Sequence, residues 1–84
     1  MGIAKAEVNY GGIMKHDLVK MIHAVEVTKL IVKDSDYKIE PDAALDLFRD
    51  SITYQNLMDD ETGLYGEGSL YIYSLFQEEQ QQKK

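Results

Sequence analysis

His16 and His23 stand seven residues apart. On a helix that spacing puts both rings on one side but about 10 Å apart along the axis, too far to share one metal ion. They form no two-histidine chelate, and His23 with Glu26, three residues on, makes at most a modest surface contact. The acidic, glycine-bearing run Asp59 to Glu67 invites comparison with a calcium loop, which needs oxygen ligands at positions one, three and five, glycine at six and glutamate at twelve. With Gly63 sixth, Met58 comes first; with Gly66 sixth, Gly63 comes third and Tyr65 fifth. Neither register supplies the ligands, and Asp34 and Asp36 lack a following glycine. Serine hydrolysis would want a nucleophile-elbow sequence, which is missing. Gly63, Gly66 and Gly68 fit no dinucleotide spacing, and no Gly-Lys-Ser/Thr phosphate loop occurs. Nothing singles out two of the fifteen acids for paired-carboxylate catalysis. The expectation is a non-enzymatic protein with no catalytic, metal or cofactor residues.

What remains is the chemistry of surfaces. The 84 residues allow one domain, and 44% apolar with 29% charged residues is ordinary for a globular chain. Without cysteine, neither disulfides nor thiolate-bound metal can staple a small core, so helix packing or a second chain must supply stability. The net charge of −6 is unevenly placed: residues 1–33 carry +2 and residues 34–84 carry −8. An acidic surface repels phosphate, which disfavours nucleic acid and suits a basic protein partner better. The apolar runs are too short for a bilayer span and no leader-like segment follows Met1, so a cytoplasmic protein without membrane association is expected. Ala6 stands where a myristoylation signal needs Ser or Thr.

The elements follow from periodicity. Residues 1–13, ending Asn9-Tyr10-Gly11-Gly12, lack a helical period and read as a flexible N-terminal tail, with Met14 a candidate natural start. Residues 14–80 form a single helical domain, and 81–84 fray. From Asp17, a plausible N-cap, to Lys33, residues Leu18, Met21, Ile22, Val25 and Val32 fall within about 100° on the helical wheel and make an amphipathic stripe. Val19, Val27, Leu30 and Ile31 lie on other sides, so the helix is apolar on more than one face and has surface to spare for a neighbour or another copy. The β-branched density over residues 26–32 keeps a short strand as the rival reading.

Glu40-Pro41-Asp42 opens a second helix, with proline tolerated in the first turn and acids favoured there. Its inward residues are Ala44, Leu45, Phe48 and Ile52, and residues 51–58 continue or restart it. Gly63 suits a positive φ in the turn that follows. Leu64 and Tyr65 pin that loop to the core. Ser69 caps a last helix striped by Tyr71, Ile72, Leu75 and Phe76, flanked by Tyr73. The fold expected is all-α: a small bundle of three main helices over residues 17–33, 41–58 and 69–80, dimeric in one version.

The segment Ile39 to Glu79 carries Ala44-Leu45-Asp46-Leu47-Phe48, then Glu61-Thr62-Gly63-Leu64-Tyr65 and Tyr71-Ile72-Tyr73. Through these pieces the segment, which covers about half the chain, resembles a family of short uncharacterised bacterial helical proteins. That resemblance implies a compact helical fold and, in some relatives, toxin-antitoxin gene neighbourhoods; no catalytic or ligand residue is carried over. The family's commoner Ser-Pro or Ser-Ala before the final aromatic is replaced here by Ser69-Leu70, which loosens the match at that helix start.

Six tyrosines serve a small core or a contact surface, with core the favoured role. The functional expectation is a protein-interaction module of an antitoxin-like or regulatory kind, acting as a homo-oligomer or with a protein partner. Its contact candidates are Val19, Val27, Leu30, Ile31, Tyr54, Tyr65 and Tyr73. The alternatives are a dimeric nucleic-acid-associated transcriptional regulator built on the basic first segment, and a minimal enzyme with acids in a shared dimer cleft.

Overall fold

The β-branched stretch of residues 26–32 is helical, and it belongs to a helix longer than its apolar stripe. The computed structural model describes the backbone of residues 2–83 and the side chains of residues 16–83. In it α1 spans Gly2–Asp34, α2 Pro41–Arg49, α3 Ile52–Met58 and α4 Ser69–Gln82. Two single 3₁₀ turns, Asp60–Thr62 and Leu64–Gly66, join α3 to α4. Among the described residues there is no strand, so the chain is all-α as expected. Asp17, expected as an N-cap, lies inside α1. The expectation for residues 1–13 falls where side chains lie outside the described residues; the backbone over residues 2–13 continues α1.

α1 ends in a tight reversal. Asp36 N–H donates to the carbonyl of Lys33 at 3.0 Å and Tyr37 N–H to that of Val32 at 3.0 Å, the paired bonds that close a helix when the next residue turns left-handed. Here two consecutive non-glycine residues do so, Asp36 at φ 59° and Tyr37 at φ 63°. Aspartate tolerates that region; an aromatic residue seldom adopts it.

Residues 41–58 form two helices because Ser51 turns the corner. Its buried hydroxyl donates to the carbonyl of Phe48 and accepts from Tyr54 N–H at 3.0 Å, closing α2 and capping α3 together. The first two amides of α3 are met from across the molecule: Ile52 N–H and Thr53 N–H donate to the two carboxylate oxygens of Glu79 on α4, at 2.7 and 2.9 Å. Each of the first three N–H groups of α3, left without an intrahelical partner, is thereby satisfied. Gly63, at φ 68°, takes the left-handed position between the two 3₁₀ turns.

The core gathers Val27 and Ile31 of α1, Ala44 and Phe48 of α2, Leu57 of α3, Leu64 of the loop, and Ile72, Tyr73 and Phe76 of α4. Phe48 meets both Tyr54 and Phe76 edge-on, with ring centroids 5.4 and 5.6 Å apart, an arrangement favoured by the ring quadrupoles. Leu64 is buried and Tyr65 packs against the core, so the loop is pinned where the apolar pair sits. Leu45 is half-buried, while Ile52 and Tyr71 are exposed rather than inward. α4 starts after Gly68 with no side-chain cap; Ser69 is its first residue and its hydroxyl is used elsewhere.

Candidate functional site

α1 presents two unlike faces, and which one turns inward decides what the surface can do. The inward face runs His16, Lys20, His23, Val27, Ile31 and Asp34, a succession of i+4 and i+3 steps. Its N-terminal half is polar, and each polar group has a tertiary partner. Lys20 is buried to 7% exposure. Its ammonium donates to the carbonyl of Met58 at 2.8 Å, pairs with the Asp60 carboxylate, and lies 5.7 Å from the centroid of the Tyr65 ring. The cation thus sits at the carbonyl end of α3, where the helix dipole favours it. The hydrogen bond from Lys20 holds the Asp60 carboxyl below the usual carboxylate range. The ring of His16 packs on Tyr65 with centroids 4.6 Å apart, its Nδ1 3.7 Å from Asp60.

His23 reaches the loop with both nitrogens: Nε2 lies 2.9 Å from the carbonyl of Tyr65 and Nδ1 2.7 Å from the Ser69 hydroxyl. A carbonyl only accepts, so Nε2 carries the proton, and in the neutral ring Nδ1 accepts from Ser69. Serine and histidine in hydrogen bond are the first two members of a nucleophile-base relay. Here a backbone carbonyl occupies the place of the orienting carboxylate, and the pair ties α1, the loop and α4 together. At the far end of the same face, the Tyr73 hydroxyl donates to Asp34, which also accepts from Gln77 at 3.2 Å. Burial pushes the Tyr73 phenol well above its ordinary value, and the neighbouring Asp34 carboxylate adds to the shift. Burial acts to raise the Glu79 carboxyl as well, but its bonds from Ile52, Thr53 and the Thr53 hydroxyl outweigh it and leave that group below its usual range. Among the described residues no group of three potential ligands converges on a metal site.

The outward face is the one with the cleaner apolar stripe. Leu18, Met21, Ile22 and Val25 are 52, 62, 53 and 51% exposed. A shallow groove of about 230 Å³ runs between them and Glu26. Farther along the helix a second groove of about 340 Å³ is lined by Thr28, Lys29, Val32, Lys33, Tyr37 and Pro41. Tyr37, the residue held left-handed, is 75% exposed beside it.

The expected contact residues are therefore redistributed. Val27 and Ile31 are core, Leu30 packs against the core and Val19 is half-buried. Tyr73 is buried, and Tyr54 and Tyr65 pack against the core. The exposed apolar surface of α1 is carried instead by Leu18, Met21, Ile22 and Val25. The reversal has a physical cause. Burying the cleaner stripe would have left the part-buried Met58 and Tyr65 carbonyls and the Ser69 and Tyr73 hydroxyls without the partners that Lys20, His23 and Asp34 provide, and polar groups buried without partners are costly.

No family model, curated protein or solved structure matches the chain. No helix of the described residues is long and apolar enough to cross a membrane.

Proposed function

We propose that this chain is a small, non-enzymatic protein-docking module of an antitoxin-like or regulatory kind, and that its contact surface is the outward face of α1 from Leu18 to Val25. The observation that carries this is four large apolar side chains in one stripe, each more than half exposed. They offer roughly 400 Å² of contiguous apolar surface, within the range of the largest patch on a typical single chain, which is often functional. At about 25 cal/mol per Å², that surface holds of order 10 kcal/mol before the cost of association is met. The polar groups of α1 support a structural part for themselves, since His16, Lys20, His23 and Asp34 are all engaged in holding α3, the loop and α4.

Affinity capture with the wild-type chain and an Ile22→Glu variant tests the reading. Ile22 makes no part of the core, so the variant keeps the helical circular dichroism of the parent. A stoichiometric companion held by the parent and lost by the variant supports the proposal; equal retention by both contradicts it.

A further inference from the structure

We propose that Ser69 is an acylation site: its hydroxyl, with His23 as general base, attacks the carbonyl of an activated ester and keeps the acyl group. The inference goes beyond the docking reading and does not rest on it, because one covalent transfer to the chain is a modification rather than turnover.

Nucleophile, base and orienting group stand in line. Ser69 Oγ lies 2.7 Å from His23 Nδ1, and Nε2, on the other side of the ring, lies 2.9 Å from the Tyr65 carbonyl. The first distance is within the reach a general base needs. The second bond fixes the tautomer, so Nδ1 is the nitrogen left to take a proton. The orienting carbonyl is itself held in place. Leu64 beside it is buried, and the turn closes on the carbonyls of Gly63 and Leu64, which leaves that of Tyr65 to His23.

The start of α4 is arranged around the same hydroxyl. A serine at a helix start ordinarily caps it. Here Gly68 takes the cap position with no side-chain bond, and Ser69 stands one residue inside with its hydroxyl on His23. The first intrahelical bond of α4 runs from Ile72 N–H to the Gly68 carbonyl at 3.1 Å, so the amides of Leu70 and Tyr71 have no intrahelical partner. They lie at the positive end of the helix, next to the atom on which an acyl oxyanion would form. Ser69 is half-buried, and a Cβ at Gly66 or Gly68 would meet nothing within 4 Å, so the segment leading to it leaves room for a reagent.

The step balances without oxidant or cofactor. The bond from Ser69 Oγ to the acyl carbon forms as the hydroxyl proton passes to His23 Nδ1. The ring is then an imidazolium whose Nε2–H still donates to the Tyr65 carbonyl. Collapse of the tetrahedral oxyanion breaks the ester C–O bond, and the leaving alcohol or phenol takes the proton from Nδ1. The products are a Ser69 ester and the free alcohol.

Treatment of the full chain with p-nitrophenyl acetate, followed by peptide mass mapping, tests the assignment. Hydroxylamine, which removes esters and spares amides, separates acetyl-serine from acetyl-lysine. Ser69 is expected to be acetylated about a hundredfold faster than Ser74, a half-buried serine of the same helix whose hydroxyl donates to a backbone carbonyl. In concentrated urea the two serines should react alike. His23→Asn retains a hydrogen-bond acceptor near the place of Nδ1 but no base, and should bring Ser69 down to the rate of Ser74, with circular dichroism checking that the helices remain. Equal acetylation of Ser69 and Ser74 in the folded parent overturns the proposal, as does a preference for Ser69 that survives in urea or in folded His23→Asn. Should that variant unfold, the comparison of folded and urea-treated parent decides alone.

Discussion

At the scale of single residues, the polar side chains of α1 act as clamps. His23 joins the Tyr65 carbonyl to the Ser69 hydroxyl, so His23→Ala leaves both without this partner and is expected to lower stability by about 1 to 3 kcal/mol, measured by urea denaturation. Glu79 is the sharper case because its carboxylate replaces two side-chain caps at once. Its folded carboxyl lies below the ordinary range, so its contribution is fully present above the unfolded value near 4.3 and is lost as pH falls through the folded value. Glu79→Gln should cost about 2 kcal/mol at neutral pH, and parent and variant should converge as the solution is acidified. A constant gap from pH 7 to pH 3 would contradict the capping role. Neither clamp was legible in the sequence. The partners of His23 lie 42 and 46 residues away, and those of Glu79 lie 26 and 27 residues away, separations on which periodicity carries no information.

At the scale of elements, sequence spacing placed the helices well and their ends less well. Pro41 and the Ala44–Phe48 spacing marked α2, and Ile72 with Phe76 marked α4, because each puts apolar groups on one helical side. The division at Ser51 turned on a hydroxyl that bonds backward and forward, which the sequence left open. Asp36 shows how a terminus can be satisfied by unexpected residues: the helix stop came without the glycine that usually takes the left-handed place. Asp36→Gly is therefore expected to raise the melting temperature, by up to about 1 kcal/mol in stability, through relief of backbone strain. Gly63→Ala should do the reverse by a similar amount. A Cβ there meets nothing within 4 Å, so the cost lies in the left-handed backbone alone. Thermal melts of the two variants, moving in opposite directions, check both.

At the scale of the whole molecule, the all-α architecture followed from the apolar spacing, and the orientation of α1 did not. Weighing apolar residues alone selects the Leu18, Met21, Ile22 and Val25 stripe as the buried one. The face that turns inward alternates polar and apolar positions, His16, Lys20, His23, Val27, Ile31 and Asp34, and is recognisable only once its distant partners are known. A helix can thus leave its greasiest side outward when the opposite side answers part-buried carbonyls and hydroxyls, and the outward side is then open to the docking proposed above. The most direct measurement of that orientation is a pair of thermal unfolding curves on dilute protein, where association contributes little, for Val25→Asp and Val27→Asp. The two positions lie two residues apart and carry the same side chain. The account predicts that Val25→Asp melts within a few degrees of the parent while Val27→Asp, placing a carboxylate in a fully buried site, loses the cooperative transition. Tolerance of Val27→Asp together with collapse of Val25→Asp would contradict it.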